Sequence, residues 1–192
     1  MKNENLHKLV LTGIMAALSF IAYEFFRIPF GNTGTSFHLG NTFAALGGLM
    51  LGPIYGGFGA AIGLSLADLI AGDLIYVPTT FILKFIIGSV TGIIAHKVLH
   101  LYTQTSKSKI FQYSLIASAC GLLLNVITDP CIGYVRSLVL GYEASVANIM
   151  AKIAGGVTFA NSIVSTICVV ILYNALRPAL TKAGLLPEIS AK

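Results

Sequence analysis

Lys84 stands inside an otherwise apolar stretch, VPTTFILKFIIGSVTGIIAHKV (Val77–Val98), where an ammonium costs roughly 2.5 to 3.5 kcal/mol on membrane-insertion scales. A charge is kept at such a place when its stem snorkels to an interface, or when a partner or a bound molecule satisfies it. Asp68, Asp73, Asn125, Asp129 and Asn161 also interrupt apolar runs, and His38, Asn41 and Tyr76 flank them. Asn125 and Asp129 are four apart and share one helical face. Carboxylates, amides, an ammonium and a phenol are hydrogen-bonding groups. In this combination they suit capture of a polar small molecule, with Asp68 as ion-pair partner in the pocket. The competing readings are a structural ion pair or interfacial carboxylate for Asp68 and a helix-to-helix hydrogen bond for Asn161.

These residues need elements to hold them, and composition says which kind. The chain has 192 residues, 56% hydrophobic and 10% charged, with mean hydropathy +0.85. That is more apolar surface than one soluble domain of this size can hide, so an all-α membrane protein is expected. Apolar runs place spans at residues 9–26, 77–98, 110–128 and 156–176. A longer tract is punctuated by Gly52-Pro53 and reads as two helices, 40–51 and 55–71, the first too short to cross about 30 Å of hydrocarbon upright. The prediction is a six-transmembrane-helix bundle forming a single membrane domain. A signal peptide is the rival reading of Met1 to Ala22, but the run continues to Phe26 without a small-x-small cleavage site.

Lys2, Lys8, Lys97, Lys107, Lys109, Arg177, Lys182 and Lys192 fall on one side of the six-span arrangement, and Arg27, Arg136 and Lys152 on the other. The bias places both termini in the cytoplasm and the polar set in the outer half. Residues 27–38 then form an external loop suited to be a lid, and 129–152 an external cap, partly interfacial helix. The net charge of +5 follows from this topology, with no basic cluster or motif for nucleic acid. Small residues at four-residue spacing (Gly13/Ala17, Gly48/Gly52, Gly59/Gly63, Gly63/Ala67, Gly88/Gly92) permit close helix packing, and the Gly13/Ala17 pair is equally suited to docking another membrane subunit.

Other signals exclude functions. His96 and His100 share a face but offer only two ligands beside Lys97, so no metal is expected. Gly63-Leu64-Ser65 is part of an intramembrane serine protease pattern without its second glycine or a base at the same depth. No Walker loop is present. Three cysteines, Cys120, Cys131 and Cys168, imply no disulfide framework.

The stretch FHLGNTFAALGGLMLGPIYGGFGAAIGLSLADLIAGDLIYVPTTFILKFIIGSVTGIIAHK, Phe37 to Lys97, resembles the substrate-binding S components of energy-coupling factor (ECF) vitamin transporters, in the riboflavin, pyridoxine and hydroxymethylpyrimidine group. The shared pattern is an HLGN start, a Gly-rich helical hairpin with a central GP, an acidic residue, and a Pro/Thr entrance to an apolar helix bearing Lys. The resemblance implies a six-helix subunit of the plasma membrane that captures a water-soluble vitamin from outside. It implies work with one coupling membrane subunit and two ATPases, toppling in the bilayer to deliver the vitamin. The chain itself would then be no enzyme and carry no cofactor. The family's Ala-x3-Ala docking pair maps onto Gly13 and Ala17, and its ligand contacts onto His38, Tyr76, Lys84, Asn125, Asp129 and Asn161. A pyridine or pyrimidine vitamin is expected, ahead of riboflavin and pantothenate.

Two other classes compete. A stand-alone secondary transporter would show a broken helix in each half, but only the first half has one. A membrane enzyme would need clustered carboxylates or a nucleophile with its base at one depth, which the sequence does not offer.

Overall fold

The computed structural model describes residues 2–30, 35–184 and 186. Its helices are α1 (Lys2–Phe25), α2 (Gly40–Ile70), α3 (Val77–Ile93), α4 (Lys107–Val139) and α5 (Ala144–Lys182). A short antiparallel ribbon, β1 (Ile28–Pro29) with β2 (Ser36–Phe37), joins α1 to α2, Ile28 opposite Phe37. Among the described residues five helices are long and apolar enough to cross a membrane, one fewer than the six segments the sequence predicts. The difference lies in α2.

Helical hydrogen bonding brackets the whole of α2, but Gly52 leaves the helical region at φ 81°, ψ −174°, just before Pro53. A residue with a Cβ would be strained in that conformation, which is why glycine stands there. The chain reverses at this point. Gly47 lies against Gly56 and Gly40 against Leu64, pairs that a straight helix would hold roughly 14 and 36 Å apart. The helix is therefore a hairpin of two antiparallel arms, and its first arm, only about 18 Å long, cannot span the hydrocarbon alone. From Gly40 to Gly52 every residue except Phe43 is buried, so this arm is a plug inside the bundle.

At the reversal, α3 and the turn that follows it supply one side-chain donor each. In an unbroken helix the Leu49 carbonyl would accept from the N–H of residue 53, which proline lacks. His96 Nε2 lies 2.9 Å from that oxygen, and Ser89 Oγ donates to the Pro53 carbonyl at 2.9 Å. A π-helical turn, Ile94–Val98, follows α3 and carries His96. Close approach makes these bonds possible: a Cβ on Gly88 would strike the Gly56 backbone, one on Gly92 the Pro53 backbone, and one on Gly63 the Ala16 carbonyl of α1. Thus the small residues read from the sequence lie at helix contacts, apart from Gly13 and Ala17. In the middle of the bundle Leu46, Leu49, Leu64, Ile87, Leu122 and Val169 are almost wholly buried.

Helices α4 and α5 run about 50 and 58 Å, well beyond the thickness of a bilayer core. Where the sequence predicts a mixed cap over 129–152, α4 continues through Pro130 to Val139 and α5 begins at Ala144, with Gly141 in the turn between them. At the opposite end Arg177 donates to the carbonyls of Tyr102 and Gln104 (3.2 and 2.8 Å), tying α5 to the α3–α4 connection.

Candidate functional site

At the end of the bundle that holds the ribbon and the α4–α5 turn, α1, both ends of α2, the start of α3 and the upper parts of α4 and α5 enclose a cavity. Its empty space is about 740 Å³ with the mouth included. Eight of the residues singled out from the sequence line it: His38, Asn41, Asp68, Asp73, Tyr76, Lys84, Asp129 and Asn161. The hairpin explains how Asn41 and Asp68, 27 positions apart in the chain, come together: one begins the first arm and the other ends the second. Asp68 is followed by a tight turn in which the Asp73 N–H returns to the Asp68 carbonyl at 2.8 Å, with Gly72 at φ 81°. Such a C-terminal motif needs the left-handed residue that glycine supplies.

Asn125 is the exception. It is wholly buried and does not reach the cavity wall, and neither amide atom has a hydrogen-bond partner among the described residues. Four positions along a helix move it about 6 Å deeper than Asp129, so a shared face does not give a shared cavity.

The charges in the cavity are held by neutral groups. Tyr23 Oη donates to Asp68 Oδ1 at 3.1 Å, and Thr158 Oγ1 donates to Asp129 Oδ2. Lys84, 8% exposed, feels both carboxylates electrostatically, yet the one ion pair within 4.0 Å among the described residues is Arg27 with Asp73, at 3.3 Å. His38 Nδ1 accepts the Gly40 N–H at 3.2 Å, so in the neutral ring the proton sits on Nε2. Burial, then the nearby charges of Lys84 and Arg27, hold this histidine well below its usual pKa. Three acceptors, Asn41 Oδ1, Asp68 Oδ2 and Asn161 Oδ1, are buried without a donor among the described residues. A wall of this kind suits a guest that brings donors.

Sequence reasoning missed Tyr23, Thr79, Thr80, Arg136 and Thr158, all of which line the cavity. Arg136 lies seven residues, two turns, beyond Asp129, and Thr158 three before Asn161, so helical periodicity could have found both. Nothing local marks Tyr23. Outside the site, His96 is turned to Leu49 and does not pair with His100, which lies past the π-helical turn in a left-handed conformation. Ser65 Oγ donates to the Val77 carbonyl at 3.4 Å and faces no base. Gly13 and Ala17 sit on the exposed face of α1, with open space around Gly13, while Thr12, Met15 and Ala16 pack against α2.

Comparison with known families decides what such a membrane bundle with a polar cavity at one end is. The model of the family described as ECF-type riboflavin transporter, S component, matches residues 3–178. The chain belongs to this family. Its members are S components of vitamin transporters, which bind a vitamin and work with an ECF module, and are not enzymes. Two solved structures share the fold. ThiT from Listeria monocytogenes aligns with TM-score 0.65 at 17% identity, covering 92% of this chain and 97% of that one. The S component for biotin from an ECF-type ABC transporter aligns with TM-score 0.63 at 20% identity, covering 93% and 94%. No curated protein matches the sequence.

Proposed function

We propose that this S component takes up a water-soluble vitamin from outside the cell in the cavity between α1 and α5, and delivers it with a coupling membrane subunit and two ATPases. The observation that carries the reading is the convergence of Asp68, Lys84, Asp129 and Asn161, from four helical segments, on one cavity in a chain of this family. The cavity then faces outward and both termini face the cytoplasm of a plasma-membrane protein, in keeping with the lysine and arginine bias. His38, Asn41, Tyr76, Lys84, Asp129 and Asn161 contact the vitamin, and Asp68 orders Lys84. Asn125 supports them from beneath. Gly13 and Ala17 offer the coupling subunit a smooth face.

Two substrates are in question. Riboflavin is favoured by the family's description. A compact pyridine or pyrimidine, pyridoxine or hydroxymethylpyrimidine, is favoured by the scarcity of free aromatic surface. Tyr23 already packs on His38 and Arg27, and Tyr76 lies beneath Arg136. Pantothenate follows both, because its carboxylate would meet acceptors at the wall.

Native mass spectrometry of gently purified protein, followed by equilibrium dialysis against riboflavin, pyridoxine, hydroxymethylpyrimidine and pantothenate, tests the proposal. One retained vitamin is expected. No binding to any of them, or uptake by this chain alone in vesicles under an ion gradient, overturns it.

A further inference from the structure

Arg136 stands at the cavity on the same face of α4 as Asp129. Its guanidinium carbon lies 3.9 Å from the centre of the Tyr76 ring, and Nη1 donates to Thr79 Oγ1 at 3.1 Å. Thr79 gives its own hydroxyl proton to the Tyr76 carbonyl at 2.8 Å, so its oxygen meets Arg136 as an acceptor. Together these contacts tie α4 to the entrance turn of α3. No carboxylate of a described residue lies within 4.0 Å of Arg136. The bond is one cation over a ring and one neutral acceptor, which can open without separating an ion pair. On the opposite flank Arg27 pairs with Asp73 and lies 5.1 Å from the Tyr23 ring centre. Two arginines therefore grip the α2–α3 connection, one through a charge and the other through neutral partners.

We propose that Arg136 is a positioning residue of the ligand site: by clamping Tyr76 and Thr79 to α4 it fixes the Tyr76 ring, covers one of its faces and narrows the mouth. The ligand passes when this clamp opens and is retained when it closes. The inference rests on the reading of the cavity as the vitamin's place. It also makes the neutral flank, and not the Arg27–Asp73 flank, the side that yields.

Access can be measured without any vitamin. In a background with Cys120→Ala, Cys131→Ala and Cys168→Ala, Leu83→Cys places a thiol on the cavity wall, where Leu83 is 4% exposed, and Val139→Cys places a control at an 81% exposed site. The rate of modification by 2-sulfonatoethyl methanethiosulfonate is followed on purified protein. Arg136→Ala is expected to speed reaction at the Leu83→Cys reporter about fivefold or more, with Thr79→Val between it and the unaltered chain. The control rate and the circular-dichroism melt should stay unchanged. Unaltered reporter rates in both variants overturn the proposal, as does a rise shared by the control, which would mean general loosening. If Arg136→Ala does not fold, Thr79→Val decides alone, and an unchanged rate there overturns it. Because no vitamin enters the assay, loss of the clamp result and loss of the vitamin-binding reading are separate outcomes.

Discussion

His96 offers a direct test of how the α2 hairpin is held. Replacing it with Phe keeps a ring against Tyr102, whose centre lies 6.0 Å away, but removes the donor to the Leu49 carbonyl. His96 is 5% exposed, so water does not readily take its place. A buried carbonyl left without a donor costs roughly 1–3 kcal/mol. For a chain of this length each kcal/mol shifts the melting midpoint by about 2–4 °C, so His96→Phe should lower it by about 5 °C. His96→Ala adds a void where the ring was and should lose more, about 3–5 kcal/mol in all. Pro53→Ala should not rescue either variant. Although it restores an N–H at position 53, the chain has already turned at Gly52 and that group no longer points along the first arm. Thermal melts by circular dichroism in one detergent provide the assay, with vitamin affinity as a second readout because the two arms carry Asn41 and Asp68. A His96→Phe midpoint within about 1 °C of the parent would refute the reasoning.

Loss of the ammonium in Lys84→Met should weaken vitamin binding roughly 10- to 100-fold, the worth of a charge-assisted hydrogen bond, and affinities within about twofold of the parent in both Lys84→Met and Lys84→Ala would remove Lys84 from the ligand contacts. His38 is held neutral with its folded pKa below its unfolded value, so its stability contribution is fully present above about pH 6.5 and is lost as pH falls from there towards the folded pKa. His38→Gln should flatten that part of a melting-temperature profile, and an identical profile would contradict the assignment. Gly63→Leu should collapse the fold, since even a Cβ there meets the Ala16 carbonyl, whereas Gly13→Leu should leave the melt unchanged and abolish co-purification with the coupling module. Equal melting losses for the two would dissolve that contrast.

Much of this was legible in the residues, for identifiable reasons. Apolar runs bounded by charge mark helices in any protein that must satisfy its backbone in lipid, which is why α1 and α3 fall close to their expected places. Gly52-Pro53 announced a break, because proline lacks a donor and glycine alone tolerates the conformation on offer. The reading of two helices, 40–51 and 55–71, meeting there as a hairpin agrees with the contact of Gly47 with Gly56. The upper halves of α4 and α5 were missed because Arg136, Glu143 and Lys152 interrupt the apolar pattern. Yet a helix longer than the bilayer needs no apolar face where it emerges. At the site, position along each helix was readable at 1.5 Å per residue, and eight of the nine polar residues named from the sequence line the cavity, Asn125 lying one turn too deep. Nothing local marks Tyr23, whereas the two-turn spacing of Arg136 from Asp129 was there to be read.

The arrangement of charge gives Lys84 its reason. Were stability the sole requirement, Lys84 and Asp129 would be expected to close into a direct ion pair, as Arg27 and Asp73 do at the rim. Instead each carboxylate is held by a neutral hydroxyl, Asp68 by Tyr23 and Asp129 by Thr158, and Lys84 remains without a carboxylate within 4.0 Å among the described residues. Neutral donors steady the carboxylates while leaving part of their hydrogen-bonding capacity open, which a tight ion pair would consume. The same logic keeps His38 uncharged beside Lys84, where a second cation would repel the first. A wall with an ammonium outside any ion pair, a carboxylate oxygen and two amide oxygens without a protein donor among the described residues is suited to a molecule bearing both donors and acceptors.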